Sequence, residues 1–256
     1  MKKYVFNIMI LCLVIFTVIP AIMVYGKEYY WYCKRNSEHI QPLLDENFAF
    51  IENCGGAYVD KKHADENAEK VIYLTFDAGY ENGNVEKILD VMRDEGVRGS
   101  FFILGHLIDS APELVLRMEN EGHLVCNHTL NHRNLTNATD EKLEYEILEL
   151  ERKYKELTGK DMDKFFRPPE GTFSESLLQK VQSLGYKTVF WSFAYADWDN
   201  GAQMKPEIAM KKIMDNLHNG EIMLLHPTSA TNAEIMRDLI RELKAQGYRF
   251  VTLNEL

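Results

Sequence analysis

The hydrophobic and polar positions of this chain fall into three regimes. Residues 4–26 carry no charged side chain, residues 27–70 mix aromatic and polar residues without a period, and from residue 71 short apolar runs alternate with amphipathic stretches. Val71-Ile72-Tyr73-Leu74-Thr75-Phe76 is a β-prone apolar run of the kind that forms a buried parallel strand. Asn84 then caps a helix whose apolar face is Val85, Ile88, Leu89 and Met92, closed by Gly96. The pattern predicts further strands at 98–104, 123–126, 164–166, 187–192, 221–226 and 248–253. Helices are expected near 112–121, 139–157, 175–184, 206–219 and 232–246. Pro112 and Pro206 sit where a first helical turn tolerates proline, and Gly122, Gly185, Gly220 and Gly247 stand just past helix ends.

Strands alternating with helices predict an α/β fold with a parallel sheet, either a barrel or doubly wound. Asp77, His128, Arg167, Asp197 and His226 each fall at or just after the C-terminal end of a different expected strand. In a parallel barrel those ends converge on one face, whereas a doubly wound sheet concentrates ligands at one switch point. Five polar residues from five strands fit a barrel better.

The first regime bears on location. Residues 4–26, after Lys2 and Lys3, are long enough to cross a bilayer as a tilted helix with the lysines inside. The segment 1–26 is expected to be a signal anchor, with a cleaved signal peptide as the rival because Gly26 precedes Lys27. Either way the rest of the chain is exported, membrane-held in the first case and secreted in the second. Residues 27–70 are read as a stalk and N-terminal extension, and 71–256 as the main domain. Tyr29, Tyr30, Trp31 and Tyr32 suit either a membrane interface or packing on that domain.

Charge and cysteine content narrow the function further. With 29 Lys+Arg against 39 Asp+Glu the formal net charge is −10, so nucleic acid is not expected as a partner. Cys12 lies in the apolar segment, and Cys33, Cys54 and Cys126 form no CxxC pair. A Cys33–Cys54 disulfide and loop cysteines without a role both remain open.

Several short motifs carry candidate chemistry. His128-Thr129-Leu130-Asn131-His132 spaces two imidazoles so that a helix or tight turn aims both at one point, as a metal requires. Alone, such a pair is more often two loop histidines. Thr75-Phe76-Asp77-Ala78-Gly79 puts a carboxylate at a strand end, and Arg167-Pro168-Pro169-Glu170-Gly171 puts a guanidinium before a rigid proline pair. Asp197-Trp198-Asp199 and Leu224-Leu225-His226 complete the set.

In their order and spacing these motifs resemble the NodB-homology polysaccharide deacetylases, the family-four carbohydrate esterases. TFDAGYENG is similar to the first motif of that family, HTLNH to the second, RPPEG to the third, ADWD to the fourth and LLH to the fifth, covering about residues 71–256. GYENG, FFILGH and RPPEGTFSE are closest to a sporulation branch, the delta-lactam-biosynthetic de-N-acetylases. That resemblance implies an irregular (β/α) barrel and N-deacetylation of muramic acid in spore-cortex peptidoglycan. The freed amine then closes on the lactyl carboxyl to give muramic delta-lactam, and an upstream muramoyl amidase is implied as a functional partner.

The same resemblance implies roles. A divalent metal, zinc or another transition metal, would sit on His128 and His132 and polarise the acetamide carbonyl. Asp77 would be the general base, held by Arg167; His226 the general acid, oriented by Asp197. A backbone N–H near Glu170 would serve the oxyanion, and Trp198 and Leu224 would wall the slot for the acetyl methyl. One departure is plain: Ala78 stands where the family's first motif has a second Asp ligand, so weak metal binding, or a substitute such as His106 or Glu81, is expected. An N-acetylglucosamine or chitin-type deacetylase shares these residues, and loss of catalysis would leave an anchored glycan-binding module.

Overall fold

The computed structural model describes residues 27–34, 38–65 and 67–256. The expected anchor at 1–26 lies outside them, and no described helix is long and apolar enough to cross a membrane. The strands are β1 (Tyr29–Tyr30), β2 (Val71–Ala78), β3 (Ser100–Ile103), β4 (Leu124–Asn127), β5 (Asp163–Phe166), β6 (Thr172–Phe173), β7 (Lys187–Thr188), β8 (Glu221–Leu225) and β9 (Arg249–Val251). The helices are α1 (Phe50–Asn53), α2 (Val85–Asp94), α3 (Gly105–Ser110), α4 (Pro112–Asn120), α5 (Asp140–Thr158), α6 (Glu175–Ser183), α7 (Pro206–Asn216) and α8 (Ala230–Ala245).

Seven of these strands form one sheet in the order β7-β5-β4-β3-β2-β8, with β9 also on β2, and every pairing in it is parallel. The sheet curls. Beyond β7 the chain reaches β8, where Phe193 bridges Met223 and Leu224 N–H donates to Phe193 C=O at 2.8 Å. The result is the expected α/β architecture in the form of a curled, incomplete barrel.

Alternation along β2 shows how the sequence builds it. Ile72, Leu74, Phe76 and Ala78 face outward into an apolar cluster with Val85, Ile88, Leu89 and Met92 of α2. Val71 and Tyr73 face inward with Phe102, Leu124, Cys126, Ile222 and Val251. A strand period of two then turns Thr75 and Asp77 toward the inside as well. Helix ends follow the expected chemistry: Thr139 accepts from Lys142 N–H at the start of α5, and left-handed Gly159 closes it.

Two features differ from the sequence reading, and a third decides between readings it left open. The strand expected at 187–192 is regular only over Lys187–Thr188, because the next two carbonyls are taken by the guanidinium of Arg167 rather than by a neighbouring strand. The stretch 105–110 folds as α3, whose short length gave no helical period. Cys33, Cys54 and Cys126 are thiols, with no disulfide among the described residues.

The aromatic residues after position 27 pack on the domain. Tyr29 and Tyr30 pair antiparallel with Phe173 and Thr172. Trp31 stacks on Phe190 with centroids 4.6 Å apart, its indole N–H donates to Trp191 C=O, and its own N–H donates to Gly171 C=O. Phe48, Ile51, Tyr58 and Val59 extend this second core against Phe173, Leu177 and Val181. Trp31→Ala removes the centre of that core and is expected to destabilise the fold by about 3–5 kcal/mol. Urea unfolding of the two proteins, compared at equal slope, measures it.

Candidate active site

Asp77 ends β2 with Thr75 two residues earlier on the same inward face. Arg167 follows β5 and is completely buried, with 0% of its side chain exposed. Its Nη1 donates to Asp77 Oδ1 at 2.8 Å and its Nη2 to Thr75 Oγ1 at 3.0 Å. Nε donates to Val189 C=O at 3.0 Å and Nη2 also to Phe190 C=O at 3.3 Å, while the guanidinium lies 4.1 Å from the centre of the Phe102 ring. Burial alone would raise the Asp77 pKa, but the charges of His128, Arg167 and His226 outweigh it and hold the carboxyl below its ordinary range.

His128 follows β4 and is buried. Its Nδ1 lies 2.8 Å from the carbonyl of Arg167, an acceptor only, so Nδ1 carries the proton and Nε2 a lone pair. That lone pair faces Asp77 Oδ2 at 3.4 Å. Burial drives the His128 pKa down to about 4, with Asp77 opposing, so the ring is neutral at pH 7. His132 stands beside it, ring centroids 4.9 Å apart. The turn between them is left-handed at Thr129 (φ 75°) and His132 (φ 54°) rather than helical.

Glu146 of α5, which sequence reasoning missed, holds that turn. Its buried carboxylate accepts from Asn131 N–H at 2.9 Å and Asn131 Nδ2 at 3.0 Å, and its backbone carbonyl accepts from Leu130 N–H. Two acidic neighbours, Glu144 and Glu149, share the helix, so no local signal marks Glu146 among them.

On the other side, Asp197 Oδ1 accepts from His226 Nδ1 at 2.7 Å while Oδ2 accepts from His226 N–H at 2.8 Å. Asn232 of α8 adds a further bond, Nδ2 to Asp197 Oδ2 at 2.6 Å, and it too carries no sequence signal. Burial pulls the His226 pKa down, but the hydrogen bond and charge of Asp197 overcome it and leave it raised. The Nε2 atom is left for the pocket.

Of the five residues expected at strand ends, Asp77, His128 and His226 line one cavity of about 690 Å³, and Arg167 and Asp197 bond to them from behind. The lining includes Asp77, His128, His132, Glu170, Trp198, Leu224 and His226, with Tyr80 of the first motif and with Trp191 and Tyr195, which no motif names. Glu170 is an exposed rim residue in the left-handed region (φ 57°). Gly171 follows at φ 66°, and a Cβ there would come within 2.9 Å of the Trp191 ring and 3.1 Å of Trp31. Leu224 is a buried wall, whereas Trp198 is 61% exposed and borders the mouth.

The donor chemistry suits a divalent cation at His128 and His132. A neutral imidazole whose N–H is tied to a backbone carbonyl presents the other nitrogen as a ligand, and here that lone pair faces a carboxylate oxygen with no proton between them. The set is small: no group of three or more His, Cys, Asp or Glu placed to hold a metal occurs among the described residues. Ala78 lies on the opposite face of β2, in the apolar cluster, and offers no oxygen. Neither expected substitute lines the pocket. Glu81 accepts from Gly83 N–H within its own turn, and His106 is an exposed residue of α3.

Comparison with known proteins agrees with this geometry. The family model for polysaccharide deacetylases matches residues 64–189. The chain is 39% identical over 227 residues, 88% of its length and 84% of the relative's, to the peptidoglycan-N-acetylmuramic acid deacetylase PdaA of Bacillus subtilis. The chain therefore belongs to the polysaccharide deacetylase family and is a hydrolase of that class. The particular likenesses are these. The solved structure of Bacillus subtilis PdaA, a family 4 carbohydrate esterase, superposes with a TM-score of 0.84 at 38% identity, covering 90% of this chain and 97% of that one. A peptidoglycan-N-acetylglucosamine deacetylase of Bacillus cereus is 34% identical over 195 residues, 74% of this chain and 89% of the relative.

The Asp197–His226 pair gives a pH prediction. If protonated His226 is the acid, activity is lost as pH rises through its raised pKa. Asp197→Asn removes the partner that raises it, so the alkaline limb of the kcat/KM profile is expected to move about one unit or more to lower pH. The profile of the purified variant, recorded beside the wild type, checks this.

Proposed function

We propose that this protein removes the N-acetyl group of N-acetylmuramic acid in peptidoglycan, leading to the muramic delta-lactam of the spore cortex. The observation that carries the reading is the junction at Asp77, a carboxylate gripped by buried Arg167 and facing a neutral His128, across the pocket from His226. The likeness to PdaA over most of both chains supports the substrate.

His128 and His132 would hold the metal, with Asp77 beside them, and a bound divalent cation would polarise the acetyl carbonyl. Held below its ordinary pKa, Asp77 stays unprotonated and accepts a proton from the attacking water as the water oxygen bonds to the carbonyl carbon. Glu170 lines the rim, and its backbone N–H would donate to the oxyanion. Collapse breaks the C–N bond as His226 Nε2 gives its proton to the leaving nitrogen, and acetate and a free amine result. Asp197 and Asn232 keep the imidazole turned so that Nε2 is the nitrogen presented. Leu224 and Trp198 border the space for the acetyl methyl.

The freed amine can then attack the neighbouring lactyl carboxyl, a ring closure that needs that carboxyl released from its stem peptide by an amidase. The apolar segment 4–26 would hold the enzyme at the membrane with the catalytic domain outside the cytoplasm, facing the polymer.

Mass spectrometry of glycan products tests the proposal. Peptide-stripped peptidoglycan strands and chitooligosaccharides are incubated with the protein, with and without added divalent metal. Acetyl loss at muramic acid is expected, abolished by Asp77→Asn. Acetyl loss from glucosamine alone would replace the muramic substrate with a glucosamine one. No acetyl loss from either, with binding retained, would favour a glycan-binding module.

A further inference from the structure

Among the described exposed large apolar side chains, two line the pocket: Tyr80, 41% exposed, and Trp198, 61% exposed. Bare aromatic rings beside a cavity are surface that a ligand can cover. Catalysis as derived above uses the acid, the base and the buried walls, and leaves Tyr80 without a task.

Tyr80 is not a loose surface ring. Its hydroxyl accepts from Asn200 Nδ2 at 2.6 Å. Asn200 lies two residues after Trp198, so one bond ties the first ring to the loop that carries the second. Both loops are braced again from behind. Asn82 and Asn84 donate to Thr228 C=O at 2.8 and 3.0 Å. Gln203 Nε2 donates to Asp197 C=O and Asp199 C=O at 2.9 and 2.8 Å, while its Oε1 accepts from Ser229 Oγ and from Thr231 N–H. The segments 79–84, 197–203 and 226–231 are laced together, and their cross-links converge on the backbone around Asp197 and Thr228. An aromatic fixed before binding loses little freedom when a ligand covers it.

The cavity is about 690 Å³, more room than one acetamido sugar fills. The ligand class that suits a flat, pre-set phenol beside a sugar-sized cleft is a second pyranose, whose C–H face packs on aromatic rings. We infer that Tyr80, pinned by Asn200, is a specificity-determining residue that stacks the sugar adjacent to the one being deacetylated, so that the enzyme reads a strand in preference to a lone acetamido sugar. This rests on the proposed reading of the pocket as a glycan site.

The experiment compares free N-acetylmuramic acid and a hexasaccharide of peptide-free peptidoglycan with the full chain in detergent, metal supplied. Tyr80→Ala is expected to lower kcat/KM for the hexasaccharide about fivefold, carried by KM, and to shrink the advantage of the hexasaccharide over the monosaccharide. Tyr80→Trp restores most of that advantage, and Asn200→Ala, which frees the ring without removing it, gives an intermediate loss. Tyr145→Ala, an exposed tyrosine on α5, serves as a control and changes neither substrate. Equal losses on both substrates, or a loss confined to kcat, would overturn the inference. Calorimetric binding of the hexasaccharide is measured in parallel. If the wild type binds the strand without turning it over, the deacetylase reading fails while weaker binding by Tyr80→Ala still supports the platform; equal binding by both overturns it.

Discussion

A guanidinium with no exposed surface has to be answered by the protein on every side, and Arg167 is such a group. Its donors reach one carboxylate, one hydroxyl and two backbone carbonyls, and an aromatic ring lies against its face. Those five partners come from three parts of the sheet: Asp77 and Thr75 from β2, Val189 and Phe190 from the chain after β7, Phe102 from β3. Meeting one buried charge therefore positions Asp77, ends a strand early and ties the chain after the edge strand β7 across the curled sheet to β2. The Arg167 carbonyl has a further effect. By accepting from His128 Nδ1 it sets which nitrogen of that imidazole faces the pocket.

The outer parts of the site lean on this centre. Pro168 and Pro169 carry the chain stiffly from Arg167 to the left-handed pair Glu170 and Gly171. There the N-terminal extension takes over, since Trp31 bonds to Gly171 C=O and fills the space that a side chain at Gly171 would need. The rim of the pocket is thus braced from residues that lie well before the first family motif. Around His226 the bracing is independent. Asp197, Asn232 and His226 bond to one another without Arg167, so Asp77 and His226 are positioned by separate networks facing one cavity.

Much of this was legible in the sequence because strand ends in a parallel sheet share a face. Asp77, His128, Arg167, Asp197 and His226 could be grouped without coordinates on that rule alone. Supports contributed from elsewhere in the fold were not. Glu146 reaches the His128–His132 turn from the middle of α5, where it reads as another charged helix residue, and Asn232 reaches Asp197 from α8. Tyr80 and Asn200 are 120 residues apart and meet only through the fold. The β1–β6 pairing escaped notice for the same reason, two residues per strand being too short for any period. Ala78 shows a subtler limit: its identity was legible, whereas its placement among α2 side chains follows from the strand alternation seen in the structure.

The account stands or falls on the claim that one buried guanidinium organises Asp77, the proposed catalytic base. Arg167→Lys tests it most directly, because lysine keeps the charge and loses the planar fork that reaches four acceptors. Single-turnover rates with a glycan strand, taken beside the unfolding curve of the same variant, separate a misplaced base from an unfolded protein. The account predicts a folded but less stable variant with turnover reduced about 100-fold or more. A variant that turns over within a few-fold of wild type would contradict it.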